Sequence, residues 1–272
     1  MLKKLLKYEL KATARLFIPL YAALLGFAII NRIINPFSII ESSASASMKT
    51  IFAYLSLTAY FAIIVGIIAM TLIIMIQRFY KSLLGDEGYL MFTLPVSTSF
   101  HITSKLVVSL VWTLTSFLST VISIFIIINE PGLISELPEA FKAFHQILGT
   151  FGMVLFSLSA LLAICAYILM IYAAISLGHQ FQKNKLIASF GMYCVLYFIN
   201  QGIIAISLFT FGNFYFEWLV SSNGADMLIG SSNPEIFELN LVLIFYMIFT
   251  ALLTAAYFLL TNHILKKRLN LE

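Results

Sequence analysis

The chain has 272 residues, of which 61% are hydrophobic and 10% charged, where a soluble domain carries about 25% charged residues. No water-soluble fold of this length could bury so much apolar surface. The formal charge of +4 and the pI near 9.0 follow from how the basic residues sort across a membrane, so nucleic-acid binding need not be invoked.

A hydrocarbon core about 30 Å thick takes roughly 20 apolar helical residues to cross, because each adds about 1.5 Å of rise. Six stretches meet that length: 16–34, 51–76, 102–128, 147–177, 186–211 and 239–265. They are rich in Ile, Leu, Phe and Ala with little alternation, which disfavours a transmembrane barrel. The expected fold is an all-α polytopic membrane protein, organised as one membrane domain over 1–272.

Residues 1–15, MLKKLLKYELKATAR, place Leu2, Leu5, Leu6 and Leu10 at helical spacing among lysines. That pattern predicts an amphipathic helix in the membrane interface, ahead of the first span. The lysines followed by an apolar run imitate a secretory signal, but the Ala44-Ser45-Ala46 triplet lies too far beyond the run, across Asn31, Arg32 and Pro36, for ordinary cleavage. In the second span, Ala62 and Gly66 stand one turn apart and predict close helix packing, and Tyr60 is a polar group within the apolar run.

The connection 77–101 is the most informative. Asp86 can cap a short helix from Glu87 to about Thr93, Glu87 complements the positive end of its dipole, and Pro95 stops it. Such a helix presents Tyr89, Leu90, Met91 and Phe92 at a charged membrane edge, either as a docking knob for another protein or dipped among headgroups. The next helix starts at Ser97 or Thr98 and runs into the third span, where Ser116, Ser119, Thr120 and Ser123 form a polar group.

Between spans three and four, two prolines frame a short helix expected from Pro138 to Ala143. Cys165 and Cys194 lie in spans with no Cys-x-x-Cys pair and read as buried, inert thiols. Asn200 and Gln201 interrupt the fifth span; amides in lipid either bond across helices or line a cavity. The following loop, 212–238, opens with Phe214-Tyr215-Phe216-Glu217-Trp218-Leu219, a patch suited to the outer interface, and 266–272 form a basic tail.

Of 16 Lys and Arg, thirteen fall on the side of the termini and three, Arg32, Lys49 and Lys142, on the other. The positive-inside rule therefore puts both termini in the cytoplasm. Every charged residue falls in a loop or at a span end, which argues against a proton-coupled transporter. His101, His145, His179 and His263 are scattered, with no His-Glu-x-x-His spacing, so no metal site is expected. The chain has no phosphate loop, so it is not expected to be an enzyme by itself or to hold a cofactor, and any ATP drive must come from a partner.

MLKKLLKYELKATAR, the six spans and RFYKSLLGDEGYLMFTLPVSTSFHITSKL together resemble the ABC-2 type permeases of Firmicutes, among them peptide and bacteriocin exporter permeases. The likeness covers the whole chain, and its most specific part is GDEGYLMFTLPVS followed by Ser104-Lys105. It implies a homodimer in the bacterial cytoplasmic membrane with two copies of a separate ATP-binding-cassette ATPase, which would hold the ATP and Mg. Residues 1–15 would be the elbow helix. Asp86, Glu87, Tyr89, Leu90, Phe92 and Pro95 would form the coupling helix, and Tyr60, Asn200 and Gln201 would lie near the substrate route. Export of amphipathic or antimicrobial peptides is the implied activity. Export of lipophilic drugs, or a membrane scaffold or sensor that recruits cytoplasmic proteins, are the alternatives.

Overall fold

The computed structural model describes residues 2–42, 48–85, 88, 97–128, 131–181, 183–220 and 234–267. Among them all regular structure is helical: α1 (Leu2–Ile34), α2 (Pro36–Ser42), α3 (Met48–Phe79), α4 (Thr98–Ile127), α5 (Pro131–Gly178), α6 (Lys185–Val220) and α7 (Pro234–Lys267). Six of these carry segments long and apolar enough to cross a membrane: Leu5–Ile34, Met48–Leu84, Thr98–Ile127, Ser135–Gly178, Lys185–Glu217 and Ile236–Lys267.

Helix ends follow local chemistry. Asn35 stops α1 in the left-handed region (φ 48), its amide bonding back to the Asn31 carbonyl, and Pro36 then opens α2, where a missing N–H costs nothing. The second span ends in a single π-helical turn, Tyr80–Leu84, closed by Gly85 N–H on the Tyr80 carbonyl at 2.9 Å. α4 begins at Thr98, as its sequence predicts.

Other bounds differ from the sequence reading. α1 runs unbroken from Leu2 through Pro19 to Ile34, so residues 1–15 are not set off by a helix break; Pro19 removes only the bond to the Arg15 carbonyl. α6 continues to Val220, making the 214–219 patch helical, because the backbone from Phe211 onward holds no breaker stronger than Gly212. α5 turns at Gly149 (φ 67, ψ 172), and its part ahead of that corner, from Pro131, extends several residues to either side of the expected Pro138 to Ala143 helix.

The chain divides into two compact units, Met1–Leu137 and Pro138–Glu272. In the first, bonds join 13 to 112 and 21 to 116, whereas 60 meets 123 and 71 meets 116. α1 and α4 therefore run parallel with α3 antiparallel to both, as three successive membrane crossings must. Leu24, Ala28, Tyr60, Ile67 and Ile127 form the core of this bundle. Within the described residues of the chain, a Cβ added to Gly66 would meet nothing within 4 Å, and Ala62 is exposed, so this pair does not pack against another helix of its own bundle.

The second unit repeats the up-down-up arrangement. A Cβ on Gly149 would approach Ile236 and one on Gly152 would strike Asn240, so α5 and α7 run parallel. Asn200 meets Tyr257 and Phe211 stacks on Phe245, so α6 is antiparallel to α7.

Candidate functional site

The first unit is held by a polar ladder that rises along α1 and α4. Glu9 and Lys105 form an ion pair at 2.9 Å, each side chain 4% exposed. One turn on, Trp112 Nε1 donates to Thr13 Oγ1 at 2.7 Å, and Phe17 stacks on the Trp112 ring with centroids 4.4 Å apart. Ser116 then bonds both Tyr21 (2.8 Å) and Thr71 (3.0 Å), and Ser123 bonds the Tyr60 hydroxyl at 2.8 Å. Apolar side chains gain little from leaving lipid for a helix interface, so such bonds and close packing do the holding, at roughly 0.6 kcal/mol per hydrogen bond.

The lower end of this ladder is the base of the 85–97 connection. Ser82, Leu83 and Leu84 are buried on the side that enters it, and His101, Ile102, Ser104 and Lys105 on the side that leaves. A narrow cavity of about 20 Å³ lies beside the ion pair, lined by Glu9, Thr13, Arg78, Lys105 and Trp112 among others. Asp86, Glu87, Tyr89, Leu90, Phe92 and Pro95, the expected coupling residues, lie outside the described residues.

Tyr60 and the two amides of the expected route fall in different units. Tyr60 is 3% exposed, sits in the first unit's core and shares a hydrogen bond with Ser123 Oγ. In the second unit, Asn200 accepts a bond from the Tyr257 hydroxyl at 3.3 Å and borders a cleft of about 150 Å³, with Tyr167, Met170, Tyr246 and Thr250. Gln201, the next residue on α6, is exposed. Tyr193 donates to Tyr167 at 3.2 Å on the same side of the bundle.

The hairpin joining α5 to α6 is tight. A Cβ on Gly178 would run into the Ser189 backbone, and Ser189 Oγ donates to the Lys185 carbonyl at 2.8 Å. His179, in this turn, has its pKa pushed below the usual histidine value by burial and then by the Lys185 ammonium, so it is neutral at pH 7.

The sequence reading missed Glu9 and Lys105 as a pair. Their signal was present: Lys105, Ser109, Trp112, Ser116 and Ser123 repeat at the four-and-three spacing of one helix face, and Glu9, Thr13, Phe17 and Tyr21 repeat every fourth residue. Among the described residues no three His, Cys, Asp or Glu come together in a way that could hold a metal ion. The two bundles of apolar helices define a multi-pass α-helical membrane protein. Comparisons with family models, with curated proteins and with solved structures give no match.

Proposed function

We propose that this chain is the membrane-spanning subunit of an ATP-driven exporter of the ABC-2 type, acting as a homodimer with two copies of a separate ATPase. It sits in the bacterial cytoplasmic membrane with both termini in the cytoplasm. Its cargo is an amphipathic or antimicrobial peptide, or a similar hydrophobic molecule. The likeness of GDEGYLMFTLPVS to the coupling segment of such permeases supports the reading. The observation that supports it is the burial of residues that flank that segment in the chain, Ser82 to Leu84 before it and His101, Ile102, Ser104 and Lys105 after it.

A loop that takes up force from a soluble motor must stand on ground that does not yield. Here the entering turn is buried at Leu83 and Leu84, and the leaving helix is pinned to the N-terminal helix through Lys105 and Glu9. Displacement of the 85–97 segment would thus move α1, α3 and α4 together. The chain has no phosphate loop, so the work must be supplied from outside it. Asn200 and Gln201, half-buried and exposed on α6, are the polar groups we assign to the cargo route.

Purification from native membranes tests the reading. An ATPase bearing a phosphate loop, encoded in an adjacent reading frame, is expected to copurify, and its ATP turnover to rise when the two are reconstituted in vesicles. A chain that retains no ATPase, with no such neighbouring frame, would overturn the proposal.

A further inference from the structure

We infer that residues 138–148 form a helix lying in the membrane–water interface on the face opposite the termini, with its apolar side seated at the headgroup–acyl boundary. The inference rests on the membrane class alone and is independent of the transport reading. The fourth candidate span, Ser135–Gly178, has 44 residues, and a straight helix of that size would measure about 66 Å against a hydrocarbon core of about 30 Å. Residues 150–178 suffice to cross, so the residues before them must go elsewhere.

Gly149 provides the corner, with φ 67 and ψ 172 inside an otherwise helical run. The turn is sharp: Phe144 and Phe156 would stand about 18 Å apart along a straight helix, yet their rings meet edge to face with centroids 5.6 Å apart. His145 Nε2 and Thr150 Oγ1 bond across the corner at 3.0 Å, and Ile236 of α7 packs where a Gly149 side chain would stand.

At 100° per residue, Ala140, Phe141, Phe144, Ile147 and Leu148 share an arc of roughly 120°, while Glu139, Lys142, His145 and Gln146 occupy the opposite side. Phe141 and Ile147 are 61% and 62% exposed. Lipid is the occupant that fits, because the apolar arc is continuous, through the Phe144–Phe156 contact, with the exposed outer surface of the span at Phe156 itself, which is 46% exposed. That surface of a multi-pass protein faces acyl chains, and an amphipathic helix joined to it settles about 5–10 Å deep with its charged side in water.

Nitroxide scanning of the full chain tests this, in vesicles of phosphatidylethanolamine and phosphatidylglycerol and with Cys165 and Cys194 replaced by serine. Phe141→Cys, Phe144→Cys and Ile147→Cys labels should collide mainly with oxygen, which partitions into lipid. Glu139→Cys, Lys142→Cys and Gln146→Cys labels should collide mainly with a water-soluble nickel chelate. Nickel dominance at all six positions, oxygen dominance at all six, or low collision with both reagents at 141, 144 and 147, as a second copy would cause, each overturns the proposal. Should labelling disturb the fold, Phe141→Trp fluorescence serves instead: quenching by brominated lipid supports the interface helix, and quenching by aqueous iodide alone defeats it.

Discussion

Glu9 and Lys105 meet at 2.9 Å in a setting where neither charge reaches solvent, so each depends on the other. Removing one partner strands the other, which in buried pairs costs about 3–5 kcal/mol, whereas replacing both with apolar residues of similar size is often neutral. Glu9→Gln and Lys105→Met alone should each sharply lower the denaturation midpoint of the purified chain, and Glu9→Leu with Lys105→Met should restore most of it. Additive losses in the double variant would show that the two side chains are not coupled. At this scale the sequence was least legible. Tyr60, Asn200 and Gln201 could be recognised as polar groups in apolar runs, but not what they bond. Tyr60 finds Ser123 from 63 positions away, and Asn200 finds Tyr257 from 57, distances that no local pattern encodes.

Helices were legible as elements, because a run of roughly 20 apolar residues has one way to satisfy its backbone in lipid. Their ends were less so. The sequence reading ended the fifth span near residue 211, where polar and aromatic residues begin, yet α6 continues to Val220, since hydropathy marks the lipid boundary and not the end of hydrogen bonding. Glycines likewise cannot be ranked from sequence. Gly66 looked like a packing site and has no neighbour among the described residues of its own chain within 4 Å of an added Cβ, whereas Gly178 admits the Ser189 backbone into the space a side chain would need. Gly178→Ala must push α5 and α6 apart at their hairpin, and overpacking of this kind costs about 1–3 kcal/mol or more. Its thermal midpoint should fall well below that of Gly191→Ala, an added methyl on α6 with no neighbour within 4 Å. Equal midpoints would mean that the hairpin accommodates the methyl by a small backbone shift.

The number of crossings was set by bilayer thickness against helix rise and was therefore open to a reading of composition alone. The grouping into two bundles of three was not, because apolar side chains are as well solvated by lipid as by one another and leave no hydropathy signature of who packs on whom. In the proposed exporter, the 85–97 segment would join the first bundle to the motor, since the residues that flank it, Leu83, Leu84, Ile102 and Lys105, are buried. If that segment seats in the ATPase, its contact rests on the acidic residue at the start of the short helix expected there and on the aromatic side chain near its end. Glu87→Ala together with Phe92→Ala should then reduce copurification of the ATPase and abolish the stimulated ATP turnover. Expression in the membrane and the denaturation midpoint should not change, because the Glu9–Lys105 base is untouched. Turnover that stays stimulated with the double substitution in place would take coupling away from this segment, and a midpoint that falls with turnover would mark these two residues as part of the fold.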